Sequence, residues 1–200
     1  MKDGLDFLEG RNLVLASASP RRRELLGQLG ACVRLAPVKD VDESFPATLN
    51  PEEVPGYISR VKAMAYAGEI DRQDILVTAD TVVISDGKVL GKPRDAQEAV
   101  EMLRRLSGCT HKVVTGVTVV VNQEVTTFSE LTEVDFAPLS DEELQYYVER
   151  YRPMDKAGAY GIQEWIGYVG ITGIRGDYYN VMGLPVCALY ACLKRLCANG

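Results

Sequence analysis

The sequence is poor in the residue types that several classes of functional site need. Its 200 residues contain one histidine and one tryptophan. A single histidine, His111, excludes metal sites built from several histidines and leaves only one imidazole base for a serine or cysteine nucleophile. The five cysteines are an odd number and form no Cys-x-x-Cys pair. They predict free thiols in a reducing compartment rather than disulfides or a zinc site.

Two further absences concern membranes and nucleic acids. No stretch approaches the roughly 18 consecutive apolar residues that span a bilayer. The first six residues have neither the basic start nor the apolar segment of a signal peptide. We therefore expect a soluble, cytoplasmic protein with no membrane partner. The 22 basic and 28 acidic residues give a net charge of −6, which repels polyanions and argues against a nucleic-acid partner.

The composition that is present is that of a globular protein. Hydrophobic residues make up 46% of the chain and charged residues 25%, enough apolar material for a real core in one domain or two small lobes. Short apolar runs alternate with helical patterns, which predicts an α/β fold. Strands are predicted at 13–16, 75–84, 88–90, 112–121, 125–136 and about 165–172. Helices are predicted at 20–29, from 51–55 to 68, at 95–106, 140–151 and 185–197, with a turn region at 173–180.

Local signals fix several of these boundaries. Asp86-Gly87 and Asn122-Gln123 lie between strand patterns and predict hairpin turns. Ser19 followed by Pro20 is typical of a helix start. Acidic residues three positions after Asp95 and Ser140 predict capping boxes at the start of two further helices.

Three consecutive arginines in the first turn of the first predicted helix are unusual. Arg21, Arg22 and Arg23 lie where the helix dipole is positive, so each charge is disfavoured by about 0.3–1 kcal/mol. A bound anion would reverse that sign, and phosphate is the obvious candidate. The alternative is an exposed basic helix start whose arginines pair with surface carboxylates.

Asp80 is the second unusual residue because it interrupts a strand whose pattern is otherwise that of a buried segment. An ionised carboxylate is costly there unless it is paired or bound to a metal, and such groups concentrate at functional sites. The alternative is a structural aspartate that accepts hydrogen bonds from backbone amides or an arginine. Asp42-Glu43 could add a carboxylate for Mg²⁺, which takes oxygen ligands and often bridges phosphates. Lys92 and Lys156 lie in two glycine-containing turns.

Four segments of the sequence resemble the signature blocks of one family. They are Ala16–Leu26 (ASASPRRRELL), Ala79–Val83 (ADTVV), Gly91–Asp95 (GKPRD) and Asp155–Gln163 (DKAGAYGIQ). Their order and spacing over nearly the whole chain resemble the Maf family of nucleoside triphosphate pyrophosphatases. The resemblance implies a single domain over 1–200, with an extended mixed sheet and helices like those of inosine triphosphate pyrophosphatases. It also implies two lobes around a cleft, a homodimer, and a divalent cation, Mg²⁺ or Mn²⁺.

The resemblance also implies roles for individual residues. The catalytic acidic residue of the family falls on Asp80, and Glu43 would join it in holding the metal. The positions that bind the substrate fall on Ser17, Arg21, Arg22, Lys62, Thr81, Lys92 and Gln163. Three of these, Arg21, Thr81 and Gln163, match the branch that cleaves dTTP and UTP. The branch that cleaves 7-methyl-GTP has Trp, Gln and Glu there.

The expected reaction is hydrolysis of a nucleoside triphosphate to the monophosphate and pyrophosphate. Asp80 would accept the proton from the attacking water or hold the metal, and the sequence leaves these two roles open. Two other functions also stay open at this stage. One is a regulator of cell division that binds nucleotides with negligible turnover, and the other is a purine-specific inosine triphosphate pyrophosphatase.

Overall fold

The structure is a computed structural model that describes residues 5–8, 10–66 and 68–197. The strands are β1 (Asn12–Leu15), β2 (Val33–Leu35), β3 (Asp74–Ser85), β4 (Lys88–Leu90), β5 (Thr110–Val121), β6 (Glu124–Phe136) and β7 (Ile171–Arg175). The helices are α1 (Pro20–Gln28), α2 (Val54–Met64), α3 (Ala96–Leu106), α4 (Asp141–Tyr151), α5 (Trp165–Gly170), α6 (Tyr178–Met182) and α7 (Val186–Cys197). Two short 3₁₀ helices lie at Asp6–Leu8 and Ala157–Ala159.

The strands form one mixed sheet in the order β2-β1-β3-β5-β6-β7, with β4 paired to β3. β1 is parallel to both β2 and β3, whereas β3–β4 and β6–β7 are antiparallel. Mixed pairing with helices between the strands confirms the predicted α/β class. Among the described residues, no helix is long and apolar enough to cross a membrane.

The chain divides into two compact units, and the division falls within β3 between Asp80 and Thr81. Unit 1 comprises the chain up to Asp80, residues 115–130, and the chain from Gly183 onward. Unit 2 comprises Thr81–Val114 and Leu131–Met182.

Unit 1 contains a close contact between α2 and β5. A Cβ atom on Gly116 would lie 2.2 Å from the backbone nitrogen of Gly56 and 2.3 Å from the carbonyl carbon of Pro55. A chain of buried hydroxyls adds to this contact, since Ser59 Oγ lies 2.9 Å from Thr118 Oγ1. The Thr78 hydroxyl donates to the Ser59 carbonyl at 2.7 Å. Glycine and hydroxyl contacts therefore set the position of α2 on the strands.

Unit 2 is organised around α3 and α4, whose buried leucines share one core cluster with Tyr147 and Phe136. Both helices are capped, and the predicted capping box forms at α4, whereas at α3 the Glu98 carboxylate accepts from the Arg94 amide. The Asp95 carboxylate accepts from the Glu98 amide, and Ser140 with Glu143 forms a complete capping box. His111 is buried in this unit, and its Nε2 lies 2.8 Å from the Tyr160 hydroxyl.

Several sequence predictions are confirmed. Both hairpin turns have left-handed backbone, with φ of 50° at Asp86 and Asn122, as tight turns between antiparallel strands require. All five cysteines are free thiols. Ser19 does precede α1, but its side chain makes no capping hydrogen bond.

The strand predicted at 165–172 is wrong, because residues Trp165–Gly170 form α5 and the strand β7 begins at Ile171. Aromatic and β-branched residues favour a strand locally. Ile166 and Gly170 are buried, however, whereas Tyr168 midway between them is exposed, which fits the face of a helix and not that of a strand. The turn region at 173–180 is wrong as well, since β7 and α6 occupy most of it. The short strand β2 was not predicted, and α2 ends at Met64 rather than near residue 68.

Candidate active site

The predicted site residues are distributed over both units. Unit 1 contains Ser17, Arg21, Arg22, Glu43, Lys62 and Asp80, and unit 2 contains Thr81, Lys92 and Gln163. Asp80 and Thr81 are the two half-buried positions in the middle of β3, whose other residues are buried.

Three of the predicted charged residues meet in unit 1. The Lys62 ammonium donates to Asp80 Oδ1 at 2.8 Å and lies 3.0 Å from Glu43 Oε1. Lys62 projects from the last turn of α2, and Asp80 from the middle of β3. Both carboxylates thus contact a single nitrogen, which the sequence did not predict.

The neighbour of Glu43 is engaged in its own turn. The Asp42 carboxylate accepts from the Ser44 amide at 2.9 Å and from the Ser44 hydroxyl at 3.0 Å. These hydrogen bonds lower the pKa of Asp42. Glu43, in contrast, contacts Lys62, which also contacts Asp80.

The donor set suits a divalent cation held together with a substrate. The carboxylates of Glu43 and Asp80 both contact one cation, the Lys62 ammonium. Mg²⁺ is commonly bound by one or two carboxylates plus substrate phosphates rather than by a full protein cage. The described part of the chain contains no group of three or more His, Cys, Asp or Glu residues placed to hold a metal.

Arg22 lies at the start of α1 and joins three segments of unit 1. Its Nε donates to the Gly183 carbonyl at 2.8 Å, and its Nη1 donates to the Ala79 carbonyl at 2.9 Å and to Ser17 Oγ at 3.3 Å. Burial lowers the pKa of Arg22 below its ordinary value, and the charge of Asp80 opposes that shift. The guanidinium is thus held beside the residue that precedes Asp80.

The turn before α1 borders a pocket. Ser17 Oγ accepts from the Ser19 amide at 3.2 Å. A pocket of about 410 Å³ is lined by Ser17, Ala18, Ser19, Pro20, Arg23, Glu24 and Leu35. The side chain of Arg21 is half-buried. The pocket thus borders the start of α1, where backbone N–H groups favour an anion.

In unit 2, the segments that contain Lys92 and Gln163 approach one another. The Gly158 amide donates to the Gly91 carbonyl at 3.0 Å, which joins the turn of Lys92 to the glycine-rich block. Lys92 itself is exposed. The amide oxygen of Gln163 is buried and accepts no hydrogen bond from the described residues.

A comparison with protein-family models assigns the chain to a family. A family model described as "Maf-like protein" matches residues 12–196. The chain belongs to the Maf family. Two relatives of this Maf protein are named dTTP/UTP pyrophosphatase. One, from Bacteroides thetaiotaomicron, is 52% identical over 96% of this chain and 100% of its own length. The other, from Porphyromonas gingivalis, is 55% identical over 95% of this chain and 96% of its own length.

A solved structure titled as a nucleoside-triphosphatase and dITP/XTP pyrophosphatase, from Mycobacterium abscessus, also matches this Maf protein. It covers 94% of the chain and 97% of its own, at 14% identity and a TM-score of 0.43. That likeness is too distant to support any statement about this chain.

The main site feature that sequence reasoning missed is a buried polar cluster in the glycine-rich block of this Maf protein. Lys156 is 7% exposed and lies 3.1 Å from Glu164 Oε1. The Tyr147 hydroxyl donates to Glu164 Oε2. Lys156 belongs to a signature block, but Tyr147 belongs to none, so no sequence signal joined it to the site.

Proposed function

We propose that this chain is a nucleoside triphosphate pyrophosphatase that hydrolyses dTTP and UTP between the α and β phosphorus atoms. The products are the nucleoside monophosphate and pyrophosphate. Relatives that carry the name dTTP/UTP pyrophosphatase at 52% and 55% identity support the substrate class. The observation that carries the chemistry is the contact of Glu43 and Asp80 with one lysine ammonium.

In this proposal, Asp80 acts on the attacking water. Its Oδ1 accepts from Lys62, so we assign the water to Oδ2. A carboxylate within hydrogen-bond reach of the water can take its proton as a general base. The same oxygen could instead hold a metal ion, and substitution distinguishes the two roles only together with metal titration.

Glu43 and Asp80 would hold a divalent cation, Mg²⁺ or Mn²⁺. Such an ion neutralises the charge that develops on phosphate oxygens when it is bound. Lys62 would stay beside both carboxylates and present its one remaining N–H group toward the triphosphate. The protein residues therefore position the phosphates and limit charge repulsion around them, as in other phosphoryl transfers.

Ser17 and Arg22 would bind the triphosphate at the start of α1, and Lys92 would add a further positive charge. The two carbonyl contacts of Arg22 fix its guanidinium plane, so little side-chain entropy remains to be lost on binding a phosphate. The positive charges of the arginines are unfavourable at the positive end of the helix dipole, and the bound anion would neutralise them.

Thr81 and Gln163 would select the base, together with Arg21. An amide offers both a donor and an acceptor, which suits the O4 and N3 edge of uracil or thymine. The Gln163 oxygen is buried and unpaired among the described residues. A ligand that donates a hydrogen bond to this oxygen removes the cost of about 1–3 kcal/mol of leaving it unpaired. A ligand without such a donor should bind more weakly by the same amount.

Three wider expectations belong to the same proposal. We infer a homodimer from the Maf resemblance, and the exposed tyrosines of unit 2, among them Tyr168 at 81% exposure, offer a surface for it. Light scattering of the purified protein tests that inference.

Free cysteines suit a reducing compartment such as the cytoplasm. A single domain with two lobes around a cleft stays a prediction.

A pyrophosphate-release assay with Mg²⁺ or Mn²⁺ tests the proposal on UTP, dTTP, CTP, GTP, ITP and 7-methyl-GTP. We expect UTP and dTTP to give the highest kcat/KM, and Gln163→Glu to erode that preference because a carboxylate only accepts hydrogen bonds. Preference for 7-methyl-GTP or ITP would refute the substrate class. Saturable binding without turnover would favour the division regulator, which the names of the relatives do not support.

A further inference from the structure

The turn that contains Gln163 is attached to one tyrosine hydroxyl at both of its ends. At the first end, the Gly161 amide donates to Tyr147 Oη at 3.0 Å. At the other end, the same hydroxyl donates to Glu164 Oε2. The turn also closes on itself, because the Glu164 amide donates to the Gly161 carbonyl at 3.0 Å. Gln163 lies between these two attachment points.

The hydroxyl comes from a rigid part of unit 2. Tyr147 belongs to α4 and is fully buried in the core cluster. Its ring stacks on Tyr151 with 5.2 Å between centroids. A fully packed side chain on a capped helix has little freedom to move, so its hydroxyl is a fixed reference point for the turn.

Two further features reduce the freedom of the turn. Lys156 contacts Glu164 at 3.1 Å and Asp155 at 2.8 Å, which fixes the second oxygen of the glutamate. A Cβ atom on Gly161 would lie 2.9 Å from Glu164 Cδ and 3.1 Å from Lys156 Cε. The cluster is thus packed so closely that residue 161 has no room for a side chain.

We propose that Tyr147, with Glu164 and Lys156, positions the Gln163 amide and thereby determines base selection. This inference rests on the proposed function, because it assumes that Gln163 contacts the base. Tyr147 itself does not touch the substrate in this account; it is a positioning residue. Its contribution is needed because a hydrogen-bonding group displaced by about 1 Å loses much of its discrimination.

Tyr147→Phe tests the proposal with the smallest change, the loss of one hydroxyl. We expect the preference for UTP over CTP and GTP, measured as the ratio of kcat/KM values, to fall about tenfold, the equivalent of one hydrogen bond. The KM for UTP should account for most of the change, while kcat changes little. Tyr151→Phe, on the ring stacked against Tyr147, is the matched control and should keep the wild-type preference.

A double-mutant cycle with Gln163→Ala separates positioning from a general structural effect. If Tyr147 acts through Gln163, Tyr147→Phe should not lower the preference further in the Gln163→Ala background. The same additional loss in both backgrounds would overturn the inference. Glu164→Gln, at a site that is 19% exposed, replaces Tyr147→Phe in this cycle if the core variant does not fold.

The outcomes also separate this inference from the function on which it rests. If the wild type shows no preference for UTP and dTTP, the proposed function fails. If the wild type has that preference and a folded Tyr147→Phe variant keeps it unchanged, the positioning role is refuted while the proposed function stands.

Discussion

Gly116→Ala is the substitution whose effect follows most directly from the structure. The added Cβ would lie 2.2 Å from Gly56 N, 2.3 Å from Pro55 C and 2.4 Å from Pro55 O. Carbon atoms pack at about 3.5–4.0 Å. Because all three contacted atoms belong to the backbone, no side-chain rotation relieves the overlap, and the start of α2 must move by roughly 1 Å.

The size of the effect follows from that displacement. Overpacking of a core costs about 1–3 kcal/mol, and we expect the upper end of the range because the backbone has to shift. For a chain of this length each kcal/mol lowers Tm by about 2–4 °C, so Tm should fall by roughly 6–12 °C. Lys62 lies on the same helix, and its misplacement relative to Asp80 should lower kcat/KM by about 10- to 100-fold.

The assay is thermal unfolding followed by pyrophosphate release well below the new Tm. Gly27→Ala is the control, because a Cβ on Gly27 in α1 meets nothing within 4 Å. It should raise stability by up to about 1 kcal/mol, as replacing a helical glycine does. A Gly116→Ala variant with wild-type Tm and activity would refute the packing argument and the link from β5 to Lys62.

Three further predictions follow from named contacts. Asp80→Asn should lower pyrophosphate release by at least about 100-fold with an unchanged circular dichroism spectrum, because the amide can neither take the proton nor ligate a metal as a carboxylate does; near-wild-type activity would exclude Asp80 from the chemistry. Arg22→Ala should raise KM for all triphosphates alike, and a changed ratio of dTTP to GTP cleavage would contradict a phosphate-binding role. Burial lowers the pKa of His111 to about 4 from 6.5. As the pH falls, the unfolded chain therefore binds the proton before the folded protein does. The folded state should lose about 3 kcal/mol of stability between pH 6.5 and pH 4. Urea unfolding at pH 7 and pH 4 measures this loss, which His111→Gln should reduce; an equal loss in both proteins would contradict it.

Features encoded by neighbouring residues could be predicted from the sequence. The turns at Asp86-Gly87 and Asn122-Gln123 need left-handed backbone that these residues tolerate. The capping box of Ser140 and Glu143 satisfies amides within its own helical turn. Such features depend on a few adjacent residues, so they form wherever the rest of the chain allows.

In the segment Trp165–Gly170, the local sequence does not determine the secondary structure. Its aromatic and β-branched residues favour a strand, but burial of Ile166 and Gly170 on one side favours the helix. The free energy of packing exceeds the intrinsic strand preference, which amounts to at most about 1 kcal/mol across the scale. No window of the sequence contains the partners against which these residues pack.

The candidate site shows the same division between local and tertiary information. The sequence by itself determined the Maf signature blocks, the residue types at Asp80 and Arg22, and the buried character of β3. Only the tertiary structure decided that Lys62 lies between Glu43 and Asp80, and that Arg22 donates to carbonyls 57 and 161 residues away. The physical reason is that charge and hydrogen-bonding capacity belong to each side chain, whereas its partners are set by the packing of helices on the sheet.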